Sequence, residues 1–279
     1  MQTFKFEGSA AALTGAASGI GRALALALAA RGCDLALADL DEAGLASVAA
    51  EIAATYRRRI TTRRVDVADP QQLDDFARAA IAEFPSLNIL INNAGVALLG
   101  QFDEFEHDQM VWLMDINFWA VVRGTRAFLP QLRSRSQAHI VNISSIFGII
   151  APAGQSAYSA SKFAVRGFSE SLRHELSMSN STVRLSVVHP GGVKTNIARR
   201  ARVGAHLRDK HNAEDLGQRF EKLAGTTSAA AAERIIRGIE RNEPRILIGW
   251  DARFLDVIQR LTPARYWSLL ARAFRRVSV

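Results

Sequence analysis

Seven short runs rich in Val, Ile, Leu and Ala recur along the chain, none with the polar–apolar alternation of a half-exposed strand. They are Ser9–Leu13, Asp34–Ala38, Thr62–Val67, Asn88–Asn92, His139–Ile143, Arg184–His189 and Arg245–Gly249. A strand that lacks alternation is covered on both faces, a condition met chiefly in parallel sheets sandwiched between helices. The segments between the runs supply those helices. In Pro70–Phe84, Leu73, Phe76, Ala77, Ala80 and Ile81 recur at helical spacing behind an Asp69 N-cap and a Pro70 first position. A βαβ series winds right-handedly, so the expected fold is α/β: a doubly wound, mainly parallel seven-stranded sheet flanked by helices in a single domain.

The remaining bulk properties mostly exclude. The start, MQTFKFEGSAAALTG, lacks a basic segment followed by a long apolar one, so no signal peptide is expected. The apolar tract from Ala23 to Leu40 is broken by Arg31, Gly32 and Asp34, too early for a membrane span. Cys33 is the only cysteine, which rules out an internal disulfide and a multi-cysteine metal site; no metal and a cytoplasmic location are expected. The net charge of +8 is C-terminal: residues 1–193 hold 17 basic and 18 acidic side chains, residues 194–279 hold 18 and 9. The arginines come without an aromatic stacking platform, so nucleic acid is not the expected partner.

The first strand runs into LTGAASGIGRALALALAARG, with glycines at 15, 19 and 21 where a helix opens. Helix N-termini carry unpaired N–H groups and partial positive charge, and glycines let a pyrophosphate approach them. Following a strand and opening a helix, Gly15, Ser18, Gly19, Ile20 and Gly21 read as the phosphate turn of a Rossmann-like fold. Asp39 ends the second run, 18 residues beyond Gly21. A carboxylate there accepts from both ribose hydroxyls of an adenosine and repels a 2′-phosphate, which argues for NAD over NADP. Arg22, Arg63 and Arg64 are counter-signals, and a helix cap is the competing role for Asp39.

The stretch GQSAYSASKFAV places Tyr158 and Lys162 four residues apart, one helical turn if Ser156–Met178 is a helix. A neighbouring ammonium favours phenolate over phenol, so the tyrosine is expected to be acidified into a usable proton donor and acceptor. A tyrosine packed on the sheet with a solvated lysine nearby is the bland alternative. Before this helix, HIVNISS ends at Ser144 and Ser145, at the carboxyl edge where open α/β sheets bind ligands. A hydroxyl there can orient a carbonyl oxygen and share its developing charge. Asn117, in MDINFWA, falls in the helix expected after the fourth strand, where it holds either a relay water or a satisfied buried amide.

Together these motifs resemble the classical short-chain dehydrogenase/reductase family over about residues 6–250. They are Thr14-Gly15-x-x-x-Gly19-Ile20-Gly21, Asp66-Val67, Asn92-Asn93-Ala94-Gly95, Asn117, Ser145, Tyr158-x-x-x-Lys162 and Pro190-Gly191-x-Val193-x-Thr195. The resemblance implies Tyr158 as acid/base, Ser145 as oxyanion partner, Lys162 as pKa modulator and nicotinamide-ribose ligand, and Asn117 as relay residue. It also implies that Asp66 and Val67 flank adenine, that Asn93, Ala94 and Gly95 line the cofactor groove, that Val193 and Thr195 meet the carboxamide, and that Pro190 and Gly191 belong to the cofactor-binding set. The expected activity is NAD(P)-dependent hydride transfer with a lipophilic secondary alcohol or ketone. A non-catalytic dinucleotide-binding sensor or scaffold of the same fold is the alternative.

Val96, Phe147 and Gln155, with Leu98, Leu99, Ile149 and Ile150, are expected to edge an apolar substrate pocket. The chain then divides into a dinucleotide-binding and catalytic domain, 1–250, with an inserted substrate loop at 191–228, and an amphipathic basic extension, 251–279. In that extension Phe254, Leu255, Ile258 and Leu261 read as one apolar helical face, followed by Tyr266, Trp267, Leu270 and Phe274 among arginines. Packing on its own domain or on a symmetry mate in a homodimer or homotetramer is favoured over contact with a membrane interface.

Overall fold

The computed structural model of the chain describes residues 3–204, 218 and 224–275, and no side chain beyond 271. Residues 205–217 and 219–223 of the expected substrate loop, and the side chains of Arg272, Phe274, Arg275 and Arg276, therefore lie outside the described residues. The strands are β1 (Ala10–Thr14), β2 (Asp34–Asp39), β3 (Ile60–Arg64), β4 (Leu87–Asn92), β5 (Leu98–Leu99), β6 (Ala138–Ile143), β7 (Val183–Pro190), β8 (Arg202–Val203) and β9 (Arg245–Ile248). Seven form one sheet in the order β3-β2-β1-β4-β6-β7-β9, every neighbour parallel. β5 and β8 pair as a separate parallel ribbon.

The helices are α1 (Gly19–Ala29), α2 (Glu42–Thr55), α3 (Pro70–Glu83), α4 (His107–Met114), α5 (Ala120–Arg133), α6 (Ser156–Met178), α7 (Ser228–Glu240), α8 (Trp250–Leu261) and α9 (Tyr266–Arg275). They cover both faces of the sheet, which explains the missing alternation. In β1, Ala11 and Leu13 enter a core with Leu24 and Leu28 of α1 and Ile235 and Ile239 of α7. Ala10 and Ala12 enter the opposite core, with Phe76 of α3, Phe128 of α5 and Leu176 of α6. Phe76 and Phe128 meet edge to face at 5.9 Å, and truncating either to Ala is expected to cost about 3–5 kcal/mol.

Three local expectations shift. The third strand begins two residues earlier than expected and ends at Arg64, because the Asp66 carboxylate turns back onto the Ala68 N–H and closes a loop there. Val65 and Val67, which drew the expected boundary onward, are buried from that loop instead. Asn117 lies in a single π-helical turn, Asp115–Trp119, between α4 and α5 rather than in a regular helix. In α8 the four apolar residues do not share one face: Leu255 and Ile258 pack inward, whereas Phe254 and Leu261 are exposed.

Chain order runs outward from β1 to β3 and then returns to β4 on the other side of β1. The reversal opens a crevice at the carboxyl ends of β1 and β4, the switch point at which doubly wound sheets bind ligands.

Candidate active site

At that crevice the turn after β1 meets the turn after β4. Gly15 has φ +67°, and a Cβ there would lie 2.8 Å from the Ala94 Cα. A Cβ on Gly21 would lie 1.9 Å from the Gly15 oxygen, so only glycine lets α1 start this close to β1. Asn93 Nδ2 donates to the Thr14 and Gly15 carbonyls, both at 2.9 Å, while Thr14 Oγ1 accepts from the Asn93 and Ala94 N–H groups. Ser18 occupies the N-cap of α1 with its hydroxyl making no cap bond. Gly19 lies against Thr195, whose Cγ2 would stand 3.2 Å from a Cβ at that glycine. A Cβ-free cradle, an uncapped helix N-terminus and a free hydroxyl fit a dinucleotide pyrophosphate.

Asp39, at the end of β2, accepts from the Ala17 N–H at 2.9 Å and the Asp41 N–H at 3.1 Å. The cap of α2 is Asp41, which accepts from Gly44 N–H, so Asp39 is not the cap. Arg22 pairs with Glu51, and Arg63 pairs with Glu83 at 2.7 Å. Arg64 stands opposite Asp39 in the strand register and is exposed. Val67 is buried beside Asp66.

One strand further along the sheet, the two adjacent serines after β6 separate as strand geometry requires. Ser144 Oγ donates to the Lys162 carbonyl at 2.8 Å and ties the turn to α6. Ser145 accepts from Phe147 N–H and lies within hydrogen-bonding reach of the Tyr158 phenol. Lys162 Nζ sits 5.7 Å from the centre of the Tyr158 ring and donates to the Ile143 carbonyl at 3.2 Å. A Cβ on Gly95 would lie 3.2 Å from Asn117 Oδ1 and 3.4 Å from Lys162 Nζ, so Gly95, Asn117 and Lys162 converge on one point.

The electrostatics differ from the sequence expectation. Burial pushes the Tyr158 phenol up to about 12, opposed by the hydrogen bond to Ser145. Burial also pulls Lys162 down to about 8. The ammonium lies 5.7 Å from the ring centre and donates to a backbone carbonyl, and desolvation is the largest influence on the phenol. Asn117 is fully buried, and its amide clamps the backbone of Val96: Oδ1 accepts from Val96 N–H at 2.9 Å, and Nδ2 donates to the Val96 carbonyl and to Ser161. Its side-chain amide is thus hydrogen-bonded within the protein.

The turn after β7 is held from a distance. Asp251, in the first turn of α8, accepts from the Gly192 N–H at 2.6 Å, and a Cβ on Gly191 would lie 2.2 Å from the same carboxylate oxygen. The extension thus locks the Pro190–Gly192 turn, next to the bridge between Val193 and Thr226. His189 is buried and neutral, its pKa pushed down to about 4 by desolvation, and its Nδ1–H donates to the Ser145 carbonyl at 2.8 Å. Neither Asp251 nor His189 carried a sequence signal, because each acts on a turn far away in the chain.

Around Tyr158 the surroundings are apolar. Phe147 meets its ring edge to face at 6.2 Å, and Val96, Leu99, Met110, Trp112 and Ile197 pack on the same cluster. Gln155 caps α6 without a side-chain cap bond. Ile149 and Ile150, expected at the pocket edge, are instead core residues packed with Ala252 and Leu270 of the extension.

The model of the short chain dehydrogenase family matches residues 9–205. SadH of Mycobacterium tuberculosis, a protein named as an oxidoreductase, is 41% identical over 267 residues, 95% of each chain. A short-chain dehydrogenase/reductase of Burkholderia phymatum, solved in complex with NAD, superposes with a TM-score of 0.85 at 30% identity over 93% of this chain and 95% of that one. A short-chain dehydrogenase of Streptomyces avermitilis gives 0.78 at 28% identity over 97% and 100%. With a parallel seven-stranded sheet, a glycine crevice at its switch point and a family match over most of its length, the chain belongs to the short-chain dehydrogenases, an oxidoreductase family.

Proposed function

We propose that the protein moves hydride between a nicotinamide dinucleotide, NAD in preference to NADP, and a lipophilic secondary alcohol or its ketone, with Tyr158 as the acid/base. The observation that carries this reading is the meeting of a buried phenol, the Ser145 hydroxyl and the Lys162 ammonium beside a glycine-lined crevice. When bound, the dinucleotide supplies the hydride acceptor or donor that no side chain can provide.

The other steps fall to side chains. The Ser145 hydroxyl donates to the substrate oxygen and shares its developing charge. In ketone reduction hydride adds to the carbonyl carbon, and the Tyr158 proton passes to the oxygen; in alcohol oxidation both move back. With its pKa near 12, the phenol starts protonated at neutral pH, the form that ketone reduction uses. Lys162 uses one described hydrogen bond, to Ile143, and its remaining N–H donors would hold the ribose beside the nicotinamide. Gly15, Ser18 and Gly19 would hold the pyrophosphate. Support for NAD comes from Asp39 and from the pairing of Arg22 and Arg63 with carboxylates, which leaves them poorly placed for a 2′-phosphate. The NAD bound to the Burkholderia phymatum relative points the same way. The apolar cluster at Phe147 and Val96 supports a lipophilic substrate.

The test is a panel of lipophilic and polyol substrates with each dinucleotide, followed by absorbance of the reduced nicotinamide. Turnover of lipophilic ketones with NADH is expected. Turnover of polyols alone would overturn the substrate class, and dinucleotide binding without any turnover would favour a sensor.

A further inference from the structure

The extension presents an outward face of unusual composition. Every exposed residue of α8 is either apolar or arginine: Trp250, Arg253, Phe254, Val257, Arg260 and Leu261. The apolar four are 76%, 53%, 51% and 77% exposed in chain order. Their spacing of four, three and four residues keeps them within about 60° of the helix circumference, in a stripe about 16 Å long. Leu269 of α9 adds a fifth exposed apolar residue, and Arg265 is exposed between the two helices.

No acid interrupts this face. Asp251 is turned inward onto Gly192, and Asp256 is buried between Arg245 and Arg260. Among the described residues no carboxylate pairs with Arg253 or Arg265. The inner face of α8 is already used, with Ala252, Leu255 and Ile258 packed on Ile146, Ile149 and Ile150. Two surfaces can cover such a stripe, a second copy or a bilayer. A two-fold partner that laid α8 on its own α8 would bring Arg253 and Arg265 of the two copies together with no acid on the face to pair them. An anionic lipid surface supplies what is missing, phosphates for the arginines and an interfacial zone for tryptophan and aliphatic side chains.

We propose that α8 docks the protein on an anionic membrane surface, with Trp250, Phe254, Val257 and Leu261 in the headgroup–acyl boundary and Arg253 and Arg265 at lipid phosphates. Among the described residues no helix is long and apolar enough to cross a membrane, so the contact is interfacial. Docking requires nothing of the substrate or of Tyr158.

The test is co-sedimentation of the full chain with vesicles of phosphatidylcholine alone or mixed with phosphatidylglycerol. The wild type is expected to sediment with the mixed vesicles at low salt, and to remain in the supernatant with phosphatidylcholine alone or at high salt. Phe254→Ser and Val257→Ser should each lower partitioning about tenfold. Met178→Ser, at an exposed apolar residue of α6, should leave it unchanged. The proposal is overturned if the wild type stays in the supernatant with mixed vesicles at low salt. Equal losses in the α8 and Met178 variants also overturn it, as does an oligomer that the α8 variants dissociate while the wild type ignores vesicles.

Discussion

Lys162 is an ammonium kept in the core against its solvation, and its removal has a sign that separates stability from function. Burial lowers its pKa from the ordinary 10.5 to about 8. At 1.36 kcal/mol per pH unit, that shift corresponds to a charge-burial cost of about 3 kcal/mol at neutral pH. Lys162→Met keeps the length of the side chain and removes the charge, at the loss of one hydrogen bond to Ile143 worth about 1 kcal/mol. The variant is therefore expected to be more stable than the wild type at pH 7 by about 2 kcal/mol, a rise in melting temperature of about 4 °C. The difference depends on pH in a fixed direction. Between pH 8 and 10.5 the unfolded wild type still binds the lysine proton and the folded wild type has released it, so wild-type stability rises through that window. The advantage of the variant should shrink accordingly, vanish near about pH 9.5 and reverse by about 1 kcal/mol, the lost hydrogen bond, at about pH 10.5. Thermal unfolding of both proteins at pH 7 and pH 10, alongside ketone reduction at pH 7, is the assay. A variant that is less stable at pH 7, or whose advantage is constant with pH, would refute the desolvation account. Full turnover in the variant would refute a catalytic use of the ammonium.

Other substitutions probe the crevice. Asp39→Ala should weaken NAD binding about tenfold and narrow the preference over NADP, as measured by titration with both dinucleotides, because the carboxylate also holds the Ala17 N–H of the phosphate turn. Gly21→Ala should abolish dinucleotide binding in the same titration, since a Cβ cannot share space with the Gly15 oxygen. Asp251→Ala should raise the KM for NAD more than it lowers kcat, because it releases the Gly192 turn without touching Tyr158.

The sheet was legible because parallel strands bury both faces, and each of the seven runs lies within two residues of its observed strand start. β3 was the least well bounded, an edge strand of Thr and Arg whose apolar signal came from Val65 and Val67 in the following loop. Tyr158 and Lys162 were legible as neighbours, since helical spacing fixes which residues share a face. Where Lys162 points was not, because Ile143 is brought to it by β6 rather than by α6. The same limit hid Asp251, 59 residues from the glycine it holds, and the buried link from Asn92 to Asn142 to Ser169 that joins β4, β6 and α6. The π turn at Asn117 had no signal in local composition, and only the clamp on Val96 shows what it positions.

The most direct measurement of the central claim is Tyr158→Phe, assayed for NADH-dependent ketone reduction and, separately, for NADH affinity. Loss of the hydroxyl removes the proton donor and leaves the ring against Phe147, so turnover is expected to fall by about a thousandfold or more with affinity within about twofold of wild type. Near-wild-type turnover in that variant would contradict the assignment of Tyr158 as the acid/base.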